Sequence, residues 1–233
     1  MRKNSFVTLL LFFFPALLVA QADKNFTDGE GLKQGLWEKY DDNGKLLYSG
    51  RFLNDAPVGI FTYYFPDGNI KALMTHSADS AGMAEVINFH PNGKKMAEGK
   101  YYHKKRHARW VFYDEEELLL SEEQYNHGQK TGLWVVYYPD GTINEQIRYQ
   151  QNKKQGEWKQ YFTDGALKVQ GRFDNGLLEG RVDYFHPNGK IMVTGEYVKN
   201  LKEGTWRFFD EEGKLVKEQE YTAGRLLTDP LKN

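Results

Sequence analysis

A turn glycine returns along this chain every 24 residues, and no other feature constrains the fold so tightly. Its phase falls at Gly44, Gly68, Gly93, Glu117, Gly141, Gly165, Gly189 and Gly213, with a single step of 25. A fixed period in this range means stacked supersecondary units, and arrays of that kind need no closed core. Ahead of the turn most units read Gly-x-Trp-x-x-Tyr/Phe. The Trp slot holds Trp37, Phe61, Val86, Trp110, Trp134, Trp158, Val182 and Trp206. Three residues later every unit has an aromatic, from Tyr40 to Phe209. Beyond the turn come Leu or Ile (Lys95 in the third unit), and six residues further a ring such as Tyr149 or Phe173. Two short runs of rings and branched residues joined by Pro-Asp-Gly or Asp-Asn-Gly read as a β-hairpin.

Phe65-Pro66-Asp67-Gly68-Asn69 carries the signature of a type I turn closed by a left-handed glycine, which predicts that Phe65 pairs with Asn69 and Tyr64 with Ile70. Counting on without interruption sets Tyr161 across from Leu167 and Glu157 across from Gly171. One face would then carry the Tyr/Phe slot, the Leu/Ile and the strand glycine, and the other face the Trp row among polar residues. A two-residue turn would instead set Trp37 across from Gly50, with a ring covering a strand glycine as the packing device. The prolines favour the first count. A second tight turn links the units, with Gly, Asn or Asp at its left-handed slot in all but Lys104. The expected fold is all-β: an elongated single-layer antiparallel meander of about eight 24-residue hairpins, some 16 strands and roughly 75 Å long. The third unit, with its extra residue, Val86 and Lys95, and the fourth, with Asp114-Glu115-Glu116-Glu117 in place of the turn, depart most from the pattern.

The N-terminus is a different segment. Arg2 and Lys3 precede an apolar run from Phe6 to Ala20, and Ala20-Gln21-Ala22 has the form of a signal peptidase site. Residues 1–22 read as an export signal, 23–226 as the repeat array and 227–233 as a C-terminal tail able to cover the last strand edge. The expected location is periplasmic or extracellular. The chain has no cysteine, which removes disulfides, thiol catalysis and cysteine metal sites. Without Arg2 and Lys3 it holds 29 basic against 32 acidic side chains, so no clustered basic footprint for nucleic acid is expected.

The pattern Gly-x-Trp-x-x-Tyr-x-x-x-Gly followed by Gly-x-Tyr/Phe resembles the MORN repeat in its bacterial variant form over about residues 31 to 226. Gly156-Glu157-Trp158-Lys159-Gln160-Tyr161 and Gly204-Thr205-Trp206-Arg207-Phe208-Phe209 carry it most fully. The resemblance implies an elongated sheet of hairpins, and an antitoxin-like label that sits awkwardly with an export signal. It specifies fold far better than function.

Catalytic chemistry is not apparent. His90 and His186 both precede Pro-Asn-Gly and read as turn flanks. His103 and His107 stand in a basic loop with Lys104, Lys105 and Arg106. No nucleophile elbow, phosphate loop or metal-spaced cluster occurs, so catalytic, cofactor-binding and metal residues are all expected to be none. Two readings of function follow. The first is a noncatalytic protein-binding or scaffold module with Trp37, Trp110, Trp134, Trp158 and Trp206 as candidate partner contacts, or else as rings that merely shield neighbouring strands. The second is an envelope protein that binds glycan or associates with the membrane. Nucleic acid is not an expected partner, and oligomeric state stays open, because the terminal strands are exposed edges.

Overall fold

A computed structural model describes residues 24–77 and 82–228. Within them the chain is one antiparallel sheet of 19 strands and no helix. Units one to four pair Lys33–Tyr40 with Leu46–Leu53, Ala56–Tyr64 with Ile70–His76, Met83–Phe89 with Lys95–Tyr102, and Lys105–Tyr113 with Leu119–Asn126. Units five to eight pair Gln129–Tyr137 with Ile143–Gln150, Lys153–Tyr161 with Leu167–Asp174, Gly180–Phe185 with Ile191–Val198, and Leu201–Phe209 with Leu215–Thr222. The surplus over 16 comes from Phe26–Thr27 at the front, the separate Leu177–Leu178 and Arg225–Thr228 at the end. Arg225–Thr228 pairs with the last hairpin strand and so forms the end of the described sheet. The export signal and the residues after Thr228 lie outside the described residues.

The hairpin tips follow the turn chemistry. The Phe65 N–H donates to the Asn69 carbonyl at 2.8 Å and Gly68 N–H to the Phe65 carbonyl at 2.9 Å, with Gly68 at φ +91°. Among the described residues, the links between units are two-residue turns with both residues left-handed, such as Asn175 at +48° and Gly176 at +88°. Asn and Gly accept that backbone readily. Lys104 is at +63° as well, so the repeat imposes the turn where the residue does not favour it.

Register corrects the expected faces. Tyr64 does pair with Ile70 and Tyr161 with Leu167, but next to that pair Lys71 or Lys168 is skipped in a β-bulge. One surplus residue moves every later side chain of the second strand to the opposite face. Glu157 therefore pairs with Arg172, and Trp158 with Gly171. Trp37 likewise pairs with Gly50, the arrangement that the two-residue turn would have produced, reached here by a three-residue turn plus a bulge. The strand glycine and the following ring join the Trp row, and that face becomes the hydrophobic core of the ribbon. Its buried side chains include Ala72, Val86, Ala97, Trp110, Tyr125, Trp134 and Ile147, continuing to Val169, Val182 and Trp206.

A second bulge joins the units. Glu98 pairs with Val111 and Lys100 with His107, so Ala108-Arg109-Trp110 oppose Gly99 alone. Ala108 is left-handed there at φ +57°. The doubled-back strand lays the Trp110 ring flat on Gly99, where a Cβ would meet the ring closer than 3.0 Å. The same register slip sets Phe61 on Gly50 and Trp206 on Gly195. Units two, four, seven and eight thus close their core on the glycine of the unit before, whereas Trp134 lies over Glu123 and Trp158 pairs with Ile147.

Candidate functional site

The five tryptophans lie in this core layer. Trp110 and Trp206 are each 1% exposed and Trp134 8%, while Trp37 and Trp158 are half-buried. Four of the five indole nitrogens are spent inside the ribbon. Trp110 Nε1 donates to the Lys100 carbonyl at 3.0 Å and Trp134 Nε1 to the Gln124 carbonyl at 3.1 Å, both acceptors lying beside the bulge. Trp158 Nε1 donates to Glu145 Oε1 at 2.7 Å. Trp206 Nε1 alone has no partner. The structure therefore uses the Trp row for packing between units, and Trp110 and Trp206 present no ring face to a partner.

The outer side of this layer is covered by basic side chains four residues before the Trp slot. Lys33, Arg106, Lys130 and Lys202 stand 4.2–4.8 Å from the centres of the Trp37, Trp110, Trp134 and Trp206 rings. Their alkyl stems cover apolar surface while the charged heads stay wet. In units two and three the same slot holds Pro57 and Gly82, and the Trp slot of unit three holds Val86. A cavity of about 660 Å³ opens there, walled by Leu53, Pro57, Met74, His76, Met83 and Tyr101. Burial holds the His76 imidazole below its ordinary value. Unit seven also lacks the cation and the large ring, but there Leu178 and Val182 pack on Gly171, so those two losses alone do not mark the opening.

The second face carries the Tyr slot in a polar ladder. Tyr113 OH donates to Glu98 Oε1 at 3.0 Å, and Tyr161 OH to Gln146 Oε1 at 2.9 Å. Lys95 bridges to Glu98, and Arg109 to Glu122 at 2.8 Å. The Lys95 hydrogen bond, against partial desolvation, holds the Glu98 carboxyl below its usual range. Asp183 is 5% exposed on this face. Its burial would raise the carboxyl pKa, but hydrogen bonds from Thr194, Gln170 and Arg181 outweigh that and lower it. Near the hairpin tips, the bulged residue of several second strands is apolar and left exposed, as at Leu47, Met96, Leu120, Met192 and Val216.

The histidines are distributed as the repeat dictates. His90 Nε2 lies 3.1 Å from the Tyr113 carbonyl and His186 Nε2 3.0 Å from the Phe209 carbonyl, so each turn flank bonds the next unit. Tyr138 OH does the same to the Tyr161 carbonyl. His107 and His127 stack edge-on with centroids 5.1 Å apart beside Tyr102. Among the described residues no group of three or more His, Asp or Glu side chains is placed to hold a metal ion.

With this geometry the MORN repeat variant pattern matches residues 33–54, 57–77, 130–151, 154–175, 178–199 and 202–223, more than half of the chain. The chain belongs to the MORN repeat variant family. As a MORN-variant array it is a repeat protein of the binding and scaffold type. The unmatched stretch coincides with units three and four, where Val86, Lys95, Ala84, Ala108 and Glu117 replace the pattern residues. No curated protein matches this MORN-variant chain. Among solved structures, the crystal structure of TarM is similar at 14% identity and a TM-score of 0.31, covering 41% of this chain and 19% of that one. A porin-like protein from Bacteroides uniformis is similar at 9% identity and 0.21, covering 83% and 92%. The Photorhabdus luminescens Tc holotoxin pore is similar at 11% and 0.21, covering 82% and 12%. The chain spans about a fifth of TarM, and superpositions this loose carry no argument about fold or function.

Proposed function

We propose that this chain is an exported, noncatalytic scaffold that holds a protein partner on the Tyr-slot face of its sheet. The observation that carries the reading is the division of labour between faces. Outside the opening at units two and three, the Trp face is closed by its own rings and cations, whereas the other face sets its Tyr/Phe slot among polar side chains such as Glu98, Arg109, Glu122, Gln146 and Asp183, with exposed Leu and Met near the tips. Rings and apolar side chains set among satisfied polar groups are the ingredients of a recognition surface. Export is supported by the N-terminal signal pattern. The glycan reading drew its motive from exposed ring rows, and the burial of Trp110 and Trp206 removes most of that motive.

The test is capture from an envelope extract by the immobilised chain without residues 1–22. Met96→Asp combined with Leu120→Asp is expected to lose the partner with the melting temperature nearly unchanged. Trp134→Ala with Trp158→Ala is expected to lower the melting temperature. Loss of capture by a normally folded Trp variant, with the Asp variant still binding, would move the site back to the Trp row. An antitoxin-like role, implied by the family resemblance, predicts that the captured protein is a toxin.

A further inference from the structure

In a meander every hairpin tip lies along one edge of the ribbon and every link between units along the other. The two edges of this ribbon have opposite charge. Taken from three residues before each ruler position to one after it, the eight tips hold twelve carboxylates against four lysines. The seven described links, five residues each, hold nine Lys or Arg against two Asp. This separation is invisible in the net charge of −1. It is also outward-facing: Glu115, Glu116 and Glu117 are exposed at one edge, and Lys104, Lys105 and Lys153 at the other. Among the described residues, none of these six side chains takes part in a salt bridge.

We propose that the acidic edge of one copy docks against the basic edge of a second copy, giving a side-by-side, head-to-tail assembly of ribbons. Two features favour a second copy over an unrelated polyanion. A polyanion would explain only the basic edge, whereas a second copy explains both. The two edges also share one period, because each unit supplies one tip and one link. When each tip is set beside the link that precedes it, signs oppose in units four to eight. The Lys104-Lys105-Arg106 link meets Asp114-Glu115-Glu116-Glu117, and the Lys199/Lys202 link meets Asp210-Glu211-Glu212. Unit seven is reversed on both sides, with Asp174 in the link and Lys190 at the tip, so the opposition survives there too. Only Asp55 against Asp67 breaks it. Sheet twist confines any one contact to a few consecutive units, and the largest opposed charges sit mid-ribbon. A contact between different surfaces of identical chains does not close on itself and extends into arrays unless rotation closes a ring.

Exposed charge pairs are individually weak and screened by salt, so this association depends on their number and on ionic strength. The inference deepens the scaffold reading by naming a partner, and it is tested without any extract. Sedimentation of the chain lacking residues 1–22 is expected to show multimers at about 20 mM salt and monomer at about 500 mM, where the screening length falls to a few ångströms. Lys104→Glu with Lys105→Glu, and separately Glu115→Lys with Glu116→Lys, should each sediment as monomer at low salt, because each brings like charges together. An equimolar mixture of the two variants should regain multimers, since each then meets its complement. A wild-type chain that stays monomeric at low salt, a variant that assembles alone, or a mixture that stays monomeric overturns the proposal. Capture of an envelope protein by a strictly monomeric chain would leave the scaffold reading intact and sink only this one.

Discussion

The junction between units three and four and the junction between units two and three perform the same task with opposite means. At the first, three residues oppose Gly99 and fold the Trp110 ring onto it. At the second, the strands pair without a register shift from Ala72↔Asn88 to His76↔Ala84, with Met74 across from Val86. Met74 has a side chain where the other junction has bare backbone, and the smaller Val86 faces it. Ring and glycine work as one device at Gly50, Gly99 and Gly195, and where Met74 and Val86 replace both the cavity beside His76 opens.

Several measurements sharpen that contrast. Trp110→Ala should cost about 3–5 kcal/mol, as expected for a buried ring, read from chemical denaturation, whereas Val86→Ala should cost clearly less. An equal loss at both positions would mean that the ring junction holds nothing extra. Gly99→Ala should cost about 1–3 kcal/mol by overpacking against Trp110. Gly171→Ala should be milder, because its Cβ would sit 3.2 Å from Val182, which need give only slightly. Trp206→Phe should be about 1 kcal/mol gentler than Trp110→Phe, since Trp110 forfeits a hydrogen bond that Trp206 never makes. Replacing the covering cation in Lys130→Ala should cost only about 0.5–1 kcal/mol.

The smallest effect is expected from pH. The Asp183 carboxyl is lowered in the fold, so its contribution is present above the ordinary carboxylate pKa near 4 and is lost as pH falls through the depressed value. Asp183→Asn should flatten the acid limb of the stability profile, and an unchanged slope would remove Asp183 from the account.

The period, the turns and the pairing of Phe65 with Asn69 were legible because Pro, Asp and Gly each demand a particular backbone. The faces were not. A bulge at Lys168 leaves no mark in residue type, yet it turns Gly171 and Phe173 over to the Trp side. The second bulge was half legible: Gly-x-Trp marks its place, but Ala108 adopts the same left-handed backbone without the glycine. The partner-contact role expected of Trp37, Trp110, Trp134, Trp158 and Trp206 rested on the uninterrupted count, and their core position follows from its failure. The opening beside Met74 arises from three coincident departures, at Pro57, Gly82 and Val86, none of which is informative alone.

Because Phe61, Trp110 and Trp206 each seal a glycine of the preceding unit, the molecule is built like overlapping roof tiles, and it has a direction. Removing unit eight would strip the Trp206 ring from Gly195. A unit removed from the front would take its own sealed glycine with it and leave the remainder covered. Shortening is thus expected to be tolerated from the first tile and resisted from the last.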